Sequence, residues 1–179
     1  MTARTDPAGR TGSGAAGALR GLIRGAVAGA AGTAAMDLLQ YGRYRSSGGA
    51  DPLADWEFRG VADWEHAPAP AQVGRRAGRL AGRDLPDRAA NRVNNLVHWS
   101  YGIAWAAAAG AAAGATGRRR AWWGPLHGTV VWLSDYVTLP LLGLYQPIWR
   151  YDAATLARDW ADHAVYGSVA GVTYRLLAG

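Results

Sequence analysis

The stretch NLVHWSYGIAWAAAAGAAAGAT, Asn95 to Thr116, decides the fold class. No Arg, Asp or Glu occurs from Val93 to Gly117. A run of about 20 mainly apolar residues, wound as an α-helix, covers the roughly 30 Å of hydrocarbon in a bilayer. Three other segments read the same way. Residues 22–41 are interrupted by Asp37, and residues 122–145 contain Asp135. Residues 156–177 are the weakest candidate, with Arg158, Asp159 and Asp162 in their first turns and Arg175 near the end. The sequence therefore predicts an all-α integral membrane protein. Its expected core is a four-transmembrane-helix bundle over residues 21–179, behind a disordered tail at 1–20 and with an insertion at 45–92.

A chain of 179 residues is one domain by size. Its mean hydropathy of −0.10 is low for a membrane protein, so the apolar residues have to be concentrated. They are, because the charges gather in the N-terminus, between Arg43 and Arg92, and in short clusters. The net charge is +6 and every basic residue is Arg. Such charge serves nucleic acid or the cytoplasmic flanks of membrane spans. Arg20, Arg24, Arg118, Arg119 and Arg120 end apolar runs, and the chain holds no nucleic-acid motif, so the bilayer is the expected partner and nucleic acid is not. Without Cys, disulfides, zinc–thiolate sites, Fe–S clusters and thiol catalysis are excluded.

The first two spans are rich in Ala and Gly. Gly21, Gly25 and Gly29 recur every four residues, which lets a neighbouring helix approach closely, although a composition rich in Ala and Gly produces such spacings by itself. A signal peptide is the rival reading of the first span, with Arg20 and Arg24 as its basic region. The segment runs on through Met36, Leu38, Leu39 and Tyr41 with no small-x-small cleavage site, which favours a retained helix. Arg118, Arg119 and Arg120 form the densest short-loop basic cluster, so that loop and both termini are expected inside. Trp122 and Trp123 then fall at the inner interface, and Tyr145, Trp149, Tyr151 and Trp160 at the outer one.

Within the insertion Ala-Asp-Trp-Glu occurs at 54–57 and again at 62–65, and Pro68 and Pro70 precede a possible helix start at Ala71. This reads as one or two short helices on the membrane surface, anchored by Trp56, Phe58 and Trp64, or as a solvated loop with some helix. On the surface reading, removing residues 51–70 leaves the bundle intact.

The two halves echo one another. His-x-x-Tyr-Gly occurs at His98, Tyr101, Gly102 and at His163, Tyr166, Gly167. Gly-x-x-x-Gly followed by Asp occurs at Gly25, Gly29, Asp37 and at Gly124, Gly128, Asp135. Each half reads as one helical hairpin, the two being parallel repeats. Counted along ideal helices, Asp37, His98, Asp135, Asp159 and His163 share one layer about 18–25 Å from the face that carries the termini. Asp162 lies beside them. Ionisable groups at such depth face a bundle interior or a water-filled cavity, and are functional candidates. Three readings stand: a hydrogen-bonded network that fixes register, a path for a proton or small solute, or a divalent metal held by nitrogen and carboxylate oxygen. Two His at similar depth could also serve as axial ligands of a haem. His127, beside Pro125, reads as an interfacial residue. The last expectation is geometric, that Asp37 with His98 and Asp135 with His163 meet near the bundle axis.

Gly124-Pro-Leu-His-Gly128, Leu139-Pro-Leu-Leu-Gly-Leu144, the Asp159/His163 pair and Val97-His-Trp-Ser100 resemble the YagU-type inner-membrane proteins of bacteria. A group of uncharacterised actinobacterial membrane proteins is more similar. Pro-Ala-Pro-Ala-Gln-Val at 68–73, Asn94-Asn95-Leu-Val-His98-Trp99, and Leu144-Tyr-Gln-Pro-Ile-Trp149 before Tyr151-Asp152 carry that likeness. The resemblance implies a four-helix protein of the bacterial cytoplasmic membrane, and brings no activity with it. The function expected is a non-enzymatic membrane protein, dimeric or larger, that moves or senses a proton or small solute. The rivals are a metal- or haem-binding membrane enzyme and a structural membrane subunit. No nucleophile elbow, phosphate loop or His-Glu-x-x-His supports an enzyme.

Overall fold

The computed structural model describes residues 7–117 and 124–179, with side chains from Gly14 onward. The expectations placed on Arg118, Arg119, Arg120, Trp122 and Trp123 lie outside the residues so described. Among the described residues the fold is all-α, with helices α1 (Pro7–Ser46), α2 (Leu53–Arg59), α3 (Ala69–Leu80), α4 (Ala90–Ala115), α5 (Gly124–Leu141) and α6 (Ala153–Ala178). The tail expected at 1–20 is helical from Pro7 on. Its Ala, Gly and Leu simply continue the helical register of residues 21–46.

The four long helices pack as two antiparallel hairpins, α1 with α4 and α5 with α6, joined through α1 against α6. Small residues make the first crossing close. Gly17, Gly21, Gly25 and Gly29 of α1 meet, in turn, Gly114, Gly110, Ala106 and Gly102 of α4. A methyl group added at Gly29 would stand 2.8 Å from both the Gly102 oxygen and the Ile103 Cα. The glycine stripe is thus a packing surface, as small residues in helix pairs generally are. In the second hairpin Gly124 and Gly128 of α5 take Gly167 and the His163 carbonyl of α6 in the same manner.

Two tyrosines of α6 reach past α1 to carbonyls of α4. The Tyr166 hydroxyl donates to the Gly102 oxygen at 2.5 Å, and the Tyr174 hydroxyl to the Gly110 oxygen at 3.2 Å. A helical carbonyl keeps a spare lone pair, so these bonds cost the α4 ladder nothing. Helix α6 starts at Asp152, whose carboxylate accepts from the Thr155 amide at 2.9 Å as an N-cap.

Helix α5 stops four residues short of the expected end at 145. Pro140 lies in its last turn, and Gly143 comes next in the left-handed region at φ +62°, where a side chain would be strained. The chain then folds Tyr145 and Tyr151 back onto Tyr136, with ring centroids 5.6 and 5.3 Å away. Three phenol rings gain more by packing together than by lying apart at a surface. Trp149 does remain exposed.

The insertion differs more from expectation. Trp64, expected as a membrane anchor, is 2% exposed and packs with Ala71 and Ala90 in a small core of its own. Its indole N–H donates to the Leu85 oxygen at 2.9 Å, and the Arg75 guanidinium lies 5.1 Å over its ring. Burial is what an indole favours once its single donor has a partner. Trp56 is likewise engaged, 5.5 Å from the Tyr41 ring of α1, while Phe58 alone of the three stays exposed. Truncating Trp64→Ala should release this lobe while the four long helices hold. A buried aromatic of this kind is worth about 3–5 kcal/mol. Hydrogen exchange is the measurement: fast exchange confined to residues 53–90 is expected, and unchanged protection there would contradict the assignment of a local core.

By length and apolar character, among the described residues only Gly14–Ser46 of α1 is able by itself to cross a membrane. The other long helices fall short for separate reasons. Helix α4 carries Asn91, Arg92, Asn94, Asn95 and His98 in its first half, α5 carries His127 and Asp135, and α6 carries Arg158, Asp159, Asp162 and Arg175.

Candidate functional site

The α1/α4 crossing that aligns Gly29 with Gly102 also brings the next two turns of each helix together. Asp37 Oδ1 there lies 2.7 Å from His98 Nε2. The α5/α6 crossing does the same for the second pair, with Asp135 Oδ2 3.1 Å from His163 Nε2. Tyr101 of α4 links the hairpins by donating to Asp135 Oδ1 at 2.7 Å, with Ser134 Oγ 3.0 Å from the same hydroxyl. Asp159 accepts from the Tyr136 hydroxyl at 2.6 Å. Asp162 pairs with Arg43 of α1 at 2.6 Å and lies 3.4 Å from Gln40 Nε2.

All six candidates, Asp37, His98, Asp135, Asp159, Asp162 and His163, line one cavity of about 830 Å³. Asp37 and Asp162 are each 6% exposed, so the layer is inside the bundle. The insertion closes the cavity from one end through Trp56, Glu57, Val61 and Pro68–Pro70. This is the role that the surface-segment reading missed. Glu57 accepts from the Trp99 indole at 3.1 Å and, through its backbone oxygen, from Asn95 Nδ2 at 2.9 Å. Burial pushes the Glu57 carboxyl above its usual range, against the opposing Trp99 hydrogen bond, and the Asp37 charge pushes the same way as burial. With this lobe forming one wall, deletion of 51–70 would open the cavity.

His163 has a constrained proton count. Its Nδ1 faces the Asp159 backbone oxygen at 2.8 Å, and a carbonyl can only accept, so Nδ1 carries hydrogen. The contact between Nε2 and Asp135 then needs one further proton, held by the imidazole or by the carboxylate. The pair therefore holds an exchangeable proton, inside the bundle and bordering the cavity. His98 carries no such demand, since a neutral ring can donate from Nε2 to Asp37.

The donor set does not suit a metal or a haem. Both Nε2 atoms face carboxylates, and among the described residues no three His, Asp or Glu side chains converge as metal ligands would. His127 also departs from expectation. It is 8% exposed, between the rings of Trp105 and Tyr166 at 6.3 and 5.8 Å, in the interior rather than at an interface. A ring facing two aromatics at a helix crossing is buried by that crossing, whatever its distance from the helix end.

Glu57, Tyr101, Tyr136 and Arg43 join the site without having been singled out as candidates. Tyr101 belongs to the repeated His-x-x-Tyr-Gly motif and Glu57 to the repeated Ala-Asp-Trp-Glu, so a signal for each was present; Tyr136 and Arg43 carry none. Comparison with known protein families, with curated proteins and with solved structures gives no match.

Proposed function

We propose that this chain is a four-span protein of the bacterial cytoplasmic membrane that relays protons through its interior Asp/His layer. The observation that carries the reading is an inverted distribution of polarity. Asp37, Asp162, Thr33 and His127 are buried, while Leu126, Val130, Leu133, Val137 and Leu141 form an exposed stripe on α5. That spacing is one face of a helix, and in water such a face would be the core. Leu19, Leu22, Ile23 and Val27 on α1, and Val172 and Leu176 on α6, are exposed in the same way. A bilayer accommodates this surface, and the low hydropathy of α4 and α6 then reflects residues turned inward. The motif resemblance to YagU-type proteins points the same way.

The proton held between His163 and Asp135, bordering a cavity with Asp37–His98 and Asp159, supports relay over a purely architectural network. A metal- or haem-based activity has less support, because the imidazoles are already engaged.

Reconstitution tests both halves of the proposal. The purified chain should float with liposomes and resist carbonate extraction. Vesicles loaded with a fluorescent pH reporter should then collapse an imposed pH gradient several-fold faster than empty vesicles. Extraction by carbonate would overturn the membrane reading. Firm insertion with a gradient decay equal to that of empty vesicles would overturn the relay and leave a structural subunit.

A further inference from the structure

The two halves of the bundle match in their Asp–His pairs and differ in their tyrosines. Asp135 has both oxygens engaged, one by Tyr101 and one by His163. By the repeat, Tyr166 is the counterpart of Tyr101, and a matching bond would run from Tyr166 to Asp37. Tyr166 does pack on Met36, the residue before Asp37, but its hydroxyl is directed to the Gly102 oxygen instead. Asp37 Oδ2 is consequently buried with no hydrogen-bond partner, on a side chain 9% exposed that lines the cavity. A buried carboxylate oxygen without a partner is costly, so a group that supplies positive charge or a donor there is strongly favoured.

The cavity around it suits a particular chemistry. Six carboxylates line it, those of Asp37, Asp51, Glu57, Asp135, Asp159 and Asp162, and among its described lining residues there is no Arg. Arg43 reaches one of them, Asp162, from outside the lining. Five aromatic rings, those of Tyr44, Trp56, Tyr101, Trp105 and Tyr145, share the rest of the lining with neutral polar and aliphatic side chains. A volume of about 830 Å³ is in the range of cavities that enclose small organic ligands. A metal ion would need converging oxygens, whereas these carboxylates are spread along the cavity. An organic ammonium needs one counter-ion and aromatic faces to lie against.

We infer that the cavity binds a small organic cation, with the Asp37 carboxylate as its counter-ion and the aromatic rings of the lining around its apolar body. This adds an organic ligand to the site proposed above and rests on that site being a functional cavity. It does not depend on proton flux, so the two can fail separately.

The test uses the full chain in detergent, with tetraphenylphosphonium as the probe and triphenylphosphine oxide as a neutral compound of related shape. Equilibrium dialysis should show saturable binding of the cation at about one per chain and little of the neutral compound. Asp37→Asn should weaken cation binding at least tenfold, while Asp37→Glu should retain most of it. In the unaltered protein, saturating tetraphenylphosphonium should also protect Asp37 from modification by a hydrophobic carbodiimide, read by peptide mass spectrometry. This last measurement stands even if the Asn variant fails to fold. Absence of saturable binding, equal binding of the neutral compound, or unprotected Asp37 would each overturn the inference. Binding that persists without any proton flux in vesicles would leave it standing and remove the relay.

Discussion

Asp135→Asn should reduce proton flux in reconstituted vesicles to the rate of empty ones, with little change in thermal stability. The expectation rests on the hydrogen-bond count at His163. An Asn side chain has the shape of Asp, and its oxygen can still accept from Tyr101. Its amide then faces Nε2 and donates, so a neutral imidazole is satisfied on both nitrogens, with Nδ1–H on the Asp159 oxygen. Every bond survives and the exchangeable proton is gone. Asp135→Ala differs in kind, because it strands His163 Nε2 without a partner and leaves the Tyr101 hydroxyl only Ser134 Oγ. A stranded buried group costs about 1–3 kcal/mol, and the melting temperature should fall accordingly. Should the Asn variant instead conduct normally, or lose stability as the Ala variant does, the pair is an architectural contact and the relay is refuted.

The second large effect lies in the glycine crossings. Gly25→Leu and Gly128→Leu should each prevent assembly of the native bundle. A Cβ at Gly25 already falls 2.8 Å from the Ala107 Cα, and one at Gly128 runs into the His163 carbonyl and lies 3.2 Å from the Ala164 Cα. These neighbours are backbone, which cannot rotate aside, so the helices must separate and each Asp–His pair must part with them. Overpacking costs about 1–3 kcal/mol where side chains can adjust, and more is expected here. Gly42→Ala is the control, being helical in α1 with nothing within 4 Å of the added methyl. It should be neutral, or stabilising by about 0.5–1 kcal/mol through helix propensity. Thermal unfolding monitored by near-ultraviolet circular dichroism separates these outcomes. A cooperative melt in the Leu variants close to that of the parent would show that the crossings are looser than described.

Some of the site was open to reading because it depends on local spacing. The repeated Gly-x-x-x-Gly, Asp and His-x-x-Tyr-Gly place an acid on one helix of each hairpin and an imidazole on the other. Once glycines bring two helices together, an acid two turns beyond the crossing on one helix and a His one turn beyond it on the other come within reach. Asp37 with His98 and Asp135 with His163 result from that arithmetic.

Other features were beyond reach for a physical reason. An indole is amphipathic, and the same Trp serves a membrane interface, a cavity wall or a small core; only the elements around Trp64 made it core. His127 looked peripheral by its place near a helix end, but its surroundings were set by Trp105 and Tyr166, residues distant in sequence. Glu57 belongs to a short repeat that names no partner for it, and reached the cavity because Trp99 and Asn95 gave it partners.

By itself the sequence determined the helices, through long runs short of charge, and determined which side chains could pair across each hairpin, through residue spacing along a helix of fixed rise. Tertiary structure alone decided how the hairpins face each other, which surface the insertion covers, and that Tyr101 bonds to Asp135 while Tyr166 bonds to Gly102. The difference between those two hydroxyls leaves one oxygen of Asp37 without a partner. It arises from packing between halves that are similar and not identical, and no pattern within either half encodes it.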